Sequence, residues 1–243
     1  PDPLPTVEQR CYQAMVLGLR DYVSKNGFKS VLLGLSGGID SALTLAVAVD
    51  ALGADRVNAI MMPFTYTSDL SMNLAKAQAE RLAVNFRVIS IKDSYNAFMT
   101  ALSDEFSGFP AGLAEQNIQA RCRGVLLMAV SNKKGALVLT TGNKSEVAVG
   151  YCTLYGDMAG GFGVLKDAGK MFVYALARYR NACAGQEGEA LVIPQQVIDR
   201  PPTAELAPGQ RDDDNLPPYE RLDQILEYYV EQDFSANDIV ARG

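Results

Sequence analysis

The stretch that most constrains the fold is Val31 to Leu45, VLLGLSGGIDSALTL. An apolar run from Val31 to Leu35 stops at Ser36, Gly37 and Gly38. After Ile39 and Asp40 the pattern turns helical through Ser41, Ala42 and Leu43. A continuous apolar run is how a strand buried on both faces reads, so this segment commits the chain to a parallel sheet covered by helices. Two glycines without Cβ let the backbone come close to an anion, and the helix start supplies unpaired N–H groups and the positive end of a dipole. Strand, glycine turn and helix together make a place for a phosphate, with Ser36 and Ser41 as further hydroxyl donors. No Lys precedes the second hydroxyl as GxxxxGK[ST] requires, and GxGxxG is absent, so this is neither a Walker A loop nor a dinucleotide fingerprint. A glycine turn that binds nothing is the plain alternative.

The flanking chain repeats the pattern. Thr6 and Gln9 have capping-box spacing ahead of Val7, Cys11, Met15, Leu19 and Tyr22, which predicts an amphipathic helix to about Lys25. Further strands are expected at Val57 to Met62, Phe86 to Ile91 and Leu137 to Thr140. Helices are expected at Ser41 to Leu52, Ser68 to Val84, Asn96 to Leu102, Glu115 to Asn132, Lys170 to Arg180 and Tyr219 to Val230. Strands alternating with helices at these lengths mean βαβ crossovers in a doubly wound sheet, whose ligand belongs outside the carboxyl ends of the strands. SGGIDS stands at such an end. Ser103 to Gly112 reads as a mobile loop, Thr140 to Asp167 as a long glycine-rich loop, Gln186 to Glu189 as a surface insertion, Val192 to Ile198 with its following prolines as extended, and RDDDN at Arg211 to Asn215 as a solvated turn. Ser235 and Asp238 are spaced to cap a last short helix. Asn117, Arg121 and Gly124 recur at spacings of four and three and share one helical face, while Arg123 lies off it.

Composition removes several chemistries. The 243 residues suit one large α/β domain and carry 28 acidic against 22 basic side chains, a net charge of −6 that argues against broad nucleic-acid binding. The four cysteines are far apart without a CxxC pair, and histidine is absent. Zinc sites, disulfide frameworks and Ser/His or Cys/His nucleophiles drop out, reduced thiols in the cytoplasm are the natural reading, and any catalytic metal must be held by oxygens, which suits Mg2+. No apolar run reaches the ~20 residues that span a bilayer, and no signal peptide opens the chain. Asp40 in the loop and Glu146 beyond the next ligand-edge strand are candidate oxygen donors for such a metal, the plain alternative being charged residues near helix ends that only meet solvent. Lys144, Lys170 and Arg121 can offset negative charge.

SGGIDS resembles the SGGxDS loop of the N-type ATP pyrophosphatases, which cleave ATP between the α and β phosphates. EQNIQARCRG at Glu115 to Gly124, TTGNKSEVAVGYCTLYGDMAGGFGVLKDAGK at Thr140 to Lys170, VIDRPPTAEL and PGQRDDDNLPPYERLD extend the likeness over essentially the whole chain, to the synthetase domain of NAD synthetases, particularly the glutamine-dependent form. The resemblance implies a Rossmann-like doubly wound parallel sheet with helices on both faces (adenine nucleotide alpha hydrolase-like), assembled as a homodimer or higher homo-oligomer. It implies that ATP adenylates the nicotinate carboxylate of deamido-NAD and that ammonia then displaces AMP.

By the same resemblance Ser36, Gly37, Gly38, Asp40 and Ser41 hold the ATP phosphates, with Thr141, Lys170 and Thr203 as further ATP contacts. Asp40 and Glu146 take Mg2+, and Asp40, Glu146 and Lys170 form the catalytic set. Asn117, Arg121, Glu146 and Asp157 serve deamido-NAD. Leu154 and Gly161 stand where ammonia-dependent members have a Lys and an Asp, and the basic C-terminal residues of the family have no counterpart, so those contacts do not carry over. Glutamine-dependent members begin with a nitrilase-like amidase, so residues 1–243 are expected to be one synthetase domain of a longer chain. The competing readings are a GMP synthetase-like amidotransferase, which shares SGGxDS, and a non-catalytic ATP-binding or assembly module.

Overall fold

The computed structural model describes residues 4–186, 188 and 190–242; the Glu187 and Glu189 part of the insertion expected at Gln186 to Glu189 lies outside them. Thr6 caps α1 (Val7–Lys25), its hydroxyl accepting from Gln9 N at 3.2 Å as the spacing predicts. There follow β1 (Val31–Gly34), α2 (Ile39–Leu52), β2 (Val57–Met61), α3 (Asp69–Arg81), β3 (Asn85–Val88), α4 (Lys92–Ala101), α5 (Leu113–Lys134) and β4 (Leu137–Thr140). After β4 come α6 (Lys144–Ala148), β5 (Phe162–Gly163), α7 (Lys170–Gln186), α8 (Gln195–Asp199), α9 (Tyr219–Leu226) and α10 (Ala236–Val240).

Among the described residues the strands form one parallel sheet in the order β3-β2-β1-β4-β5, with Val31 opposite both Val57 and Leu137. Alternation along the strands divides the core between two faces. Val31, Leu33, Ala59, Met61, Leu137 and Leu139 pack with α1, α2 and α7, whereas Leu32, Ile60, Met62 and Val138 pack with Cys122 and Leu127 of α5. Helices on both faces make the sheet doubly wound, as expected. Helix α2 is apolar almost all round because it lies on the sheet beneath α1 and α7, and Asp50 staples that layer by accepting from Tyr12 Oη at 2.6 Å and Arg180 Nε at 2.7 Å. The order of connection reverses between β1 and β4, which leaves a crevice at their carboxyl ends.

Several expectations change. The stretch after β4 is not one loop: it contains α6 and the two-residue β5 that pairs with β4. Within the segment expected to be extended, Gln195–Asp199 is helical, entered after Pro194 and closed because Arg200 precedes Pro201 and must be extended (φ −77°, ψ 148°). Strand β3 ends at Val88 and α9 at Leu226, where a wider turn over Glu227–Glu231 takes over. RDDDN is a short 3-10 turn at Asp212–Asp214, and Asp212 is buried in it. Ser235 caps α10 as read. No helix among the described residues is long and apolar enough to cross a membrane.

Candidate active site

The crevice deepens into a cavity of about 560 Å³ at the carboxyl ends of β1, β2 and β4. Its floor is the glycine loop. Gly37 sits at φ +81°, in the left-handed region, and a Cβ there would lie 2.3 Å from the Ser71 carbonyl oxygen, so the loop can pass α3 only as glycine. Helix α2 starts at Gly38 without a side-chain cap, leaving its first N–H groups facing the cavity. Ser36 and Ser41 brace the loop itself: Ser36 N donates to Ser41 Oγ at 3.2 Å, Gly38 N to Ser36 Oγ at 3.2 Å, and Ser41 Oγ to Gly38 O at 3.1 Å.

Beside the loop three helix N-termini converge, those of α2, α6 and α7, and each brings one charged side chain. Lys170, the first residue of α7, is 2 % exposed, and its Nζ donates to Asp40 Oδ2 at 2.6 Å and to Glu146 Oε1 at 2.9 Å. The carboxylates suit helix first turns; the lysine does not, and its ammonium is held there by the pair it bridges. Asn143 caps α6 by accepting from Glu146 N at 3.0 Å and donates through Nδ2 to Asp40 Oδ1 at 2.8 Å, which locks both carboxylates in place. Asp223 of α9 accepts from Met171 N at 2.8 Å and from the Ser145 hydroxyl, whose Oγ accepts from Lys170 N at 2.8 Å. Tyr219, also on α9, sets its ring 5.2 Å below the Lys170 ammonium and donates to Asp212 Oδ2 at 2.9 Å.

The charges here do not balance. Burial pushes Glu146 up to about 7, Asp40 adds to the rise, and Lys170 only partly opposes it. Burial also works against the charge of Lys170, but Asp40 and Glu146 outweigh it and hold the ammonium well above its ordinary value. Asp212 is raised by burial as well, with Lys170 pulling the other way. A set of oxygen donors with surplus negative charge and no imidazole fits a hard divalent cation. Among the described residues no group of three or more acidic, cysteine or histidine side chains forms a complete cage, so such a cation would take Asp40 and Glu146 and fill its other positions with water or phosphate, which is Mg2+ usage.

Of the residues singled out in the sequence, Ser36, Gly38, Asp40, Ser41, Thr141, Glu146, Asp157, Lys170 and Thr203 line this cavity together, with Gly37 behind them shaping the loop. Asp157 accepts from Thr153 N at 2.6 Å, and burial raises its carboxyl against that bond and against Arg123. Asn117 and Arg121 lie outside the cavity and hold the YGD loop, Asn117 Oδ1 accepting from Thr153 Oγ1 at 2.9 Å and Arg121 Nε donating to Leu154 O at 3.3 Å. Of α5, Ala120, Gly124 and Leu127 line the cavity, Gly124 from the face those two share, and the charged residue that joins them, off that face, is Arg123. Its Nε donates to Met62 O at 3.0 Å, and burial lowers its pKa to about 10.

Asn143, Arg200, Asp212, Tyr219 and Asp223 were not singled out from sequence. Asn143 was findable, since Asn followed three residues later by Glu is a helix-start signature. Nothing local separates Asp212 from Asp213 and Asp214, or marks Arg200 among its prolines.

Comparison with known proteins agrees with this architecture. The family model described as NAD synthase matches residues 11–243. The chain is 56% identical over its full length to a glutamine-dependent NAD(+) synthetase of Acinetobacter baylyi, of which it covers 44%, and 48% identical to one of Thermotoga maritima, covering 100% of this chain and 41% of that protein. Among solved structures, a glutamine-dependent NAD+ synthetase from Acinetobacter baumannii in complex with ADP superposes with a TM-score of 0.80 at 51% identity, over 100% of this chain and 43% of that one. An NMN synthetase from Francisella tularensis superposes with a TM-score of 0.81 at 28% identity, over 92% and 87%. The chain thus spans less than half of the glutamine-dependent proteins it matches. A sheet switch point with a glycine loop and a Lys170-bridged carboxylate pair, in a sequence matched by the family model from residue 11 to its end, places this chain in the NAD synthase family.

Proposed function

We propose that this chain carries out the ATP-dependent amidation of deamido-NAD to NAD. The observation that supports it most directly is the Lys170 ammonium between Asp40 and Glu146, at the lip of an anion-binding loop. In the proposed reaction a nicotinate carboxylate oxygen attacks the α-phosphorus of ATP, the bond to the bridging oxygen of pyrophosphate breaks, and ammonia displaces AMP from the resulting acyl adenylate. The protein's share is positioning and charge neutralisation. The loop N–H groups and the α2 dipole take the departing phosphates. Lys170 meets the charge on the transferred phosphoryl group, and Asn143 and Asp223 keep the lysine and its carboxylates in register. Asp40 and Glu146 are the residues that would hold Mg2+, which when bound neutralises phosphate charge. Ammonia attacks through its own lone pair without a base to activate it, and the proton its nitrogen sheds as the amide forms and AMP leaves passes to water, so the step does not call for histidine.

Deamido-NAD is proposed to reach Asp157 from the side of Asn117 and Arg121. Val125, Leu154 and Tyr155 are exposed on that side, which supports assembly as a homo-oligomer with the acceptor bound near the interface. Nitrogen is proposed to come from ammonia, supplied by a glutamine amidase domain in a longer chain, in keeping with the glutamine-dependent relatives of which this chain spans less than half. Four free cysteines agree with a reducing, cytoplasmic setting.

The test is turnover with ATP, magnesium and ammonium, offering deamido-NAD, nicotinate mononucleotide or xanthosine monophosphate as acceptor, and separating AMP and amidated product by chromatography. AMP and NAD in equal amounts from deamido-NAD is the expected result. Product from xanthosine monophosphate alone would make the chain GMP synthetase-like. ATP binding without AMP from any acceptor would make it a non-catalytic module.

A further inference from the structure

Lys170 flanks the glycine loop on its β4 side. A second cation flanks it on the other, and neither the motifs nor the pairing of charges explains it. Arg200 ends α8, where Pro201 forces it into an extended conformation, and the rigid Pro201-Pro202 pair behind it leaves its backbone little freedom. The side chain is aimed back at the loop. Its Nη1 donates to Ser71 Oγ at 2.8 Å, and Nη2 stands 3.8 Å from where a side chain on Gly38 would begin.

The guanidinium lines the cavity, and among the described residues no carboxylate lies within ion-pair distance of it. Glu205 is the nearest candidate counter-ion, but its carboxylate is taken up by the start of α3, accepting from Ser68 Oγ at 2.7 Å, Ser71 Oγ at 2.8 Å and Ser68 N at 3.4 Å. Burial lowers the pKa of Arg200, with Glu205 and Tyr174 opposing, so the site holds this charge at a cost that those two groups offset only in part. A planar fork with open N–H groups beside unpaired helix N–H groups matches a phosphate oxygen pair.

We propose that Arg200 is a catalytic residue of the leaving group: it binds the β and γ phosphates of ATP and then the free pyrophosphate, opposite Lys170 across the loop. This rests on the proposed adenylation. When the carboxylate oxygen bonds to the α-phosphorus, the electron pair of the breaking P–O bond departs on the bridging oxygen, and pyrophosphate leaves with one more negative charge. No proton has to move. Arg200 supplies N–H donors on the side where that charge develops, and the loop amides supply them from below. The competing role is structural, with Arg200 holding α3 in place through Ser71.

Pyrophosphate and AMP titrated separately into wild type and Arg200→Gln by calorimetry distinguish the two roles, because neither needs turnover. The expected result is pyrophosphate binding weakened by at least about 10-fold with AMP affinity unchanged, and in the amidation assay a fall in kcat of about 10²-fold, the effect of removing one such donor. Arg200→Lys keeps the charge without the fork and is expected in between; it also serves if the glutamine variant does not fold. Equal pyrophosphate affinity in wild type and variant overturns the proposal, and so does a parallel loss of AMP affinity, which a displaced α3 would cause. A wild-type chain that binds pyrophosphate through Arg200 but makes no NAD would instead overturn the proposed function.

Discussion

Replacing Lys170 by Met tests the charge cluster directly. Methionine fills much of the lysine stem's volume, so the change removes a charge with little cavity. It leaves the Asp40 and Glu146 side chains, 17% and 18% exposed, facing each other without the ammonium that bridges them. Breaking a buried pair by deleting one partner costs about 3–5 kcal/mol. Part of this is recovered by protonation: Glu146 already stands at about 7, against an ordinary 4.5, and loss of Lys170 pushes it higher. The native state then holds a proton that the unfolded state has released. Stability is therefore fullest below the unfolded value of 4.5 and declines as pH rises towards the native pKa.

Wild type shares this decline only up to about 7, while the variant carries it further, so between pH 6 and 8 the variant loses about 1–2 kcal/mol more than wild type. The expected destabilisation is about 2–3 kcal/mol at pH 6 and about 3–5 kcal/mol at pH 8. Urea unfolding followed by circular dichroism, without nucleotide or magnesium, measures both. A variant as stable as wild type at both pH values, or one hurt more at pH 6 than at pH 8, would refute the reasoning.

Two further substitutions probe the scaffold of the site. Gly37→Ala is expected to cost about 2–4 kcal/mol, of which about 1–2 kcal/mol comes from the left-handed backbone and the rest from the 2.3 Å approach to Ser71 O. It should abolish pyrophosphate binding; a loss under about 1 kcal/mol in urea unfolding would mean the loop has another conformation available. Asp223→Ala removes the partner of Met171 N and Ser145, a capping loss of about 1–2 kcal/mol that should lower Tm by about 2–8 °C. It should also lower kcat for amidation more than the affinity for AMP, because it loosens the α7 start that carries Lys170; an unchanged kcat would remove α9 from the support of the site.

What could be read along the chain is what short-range patterns encode. The apolar runs, the first of them ending in SGGIDS, the helical periodicity and the Thr6 cap identified strands, helices and the doubly wound class, because each is set by residues within a few turns of one another. The fourth strand of the sheet was legible for the same reason. The two-residue β5 was not, since it exists only by pairing with β4. Likewise α8 was hidden by its bracketing prolines, which read as extended chain until the packing of Val197 and Ile198 into the core made a turn of helix the better burial.

By itself, then, the sequence determined the glycine loop, the sheet around it and the absence of imidazole chemistry; a chain without histidine leaves oxygens, lysine and arginine as its charged and polar groups. Resemblance supplied the family. Tertiary structure alone decided which charges meet. Asp40 and Lys170 are 130 residues apart and become neighbours only because β4 pairs beside β1 and swings α6 and α7 against the start of α2. The same assembly sends Arg123 into the cavity and Arg121 out of it, buries Asp212 while leaving Asp213 exposed, and aims Arg200 at Gly38. Electrostatics in a low-dielectric cleft depends on distances of a few ångströms between remote residues, and no local pattern carries those distances.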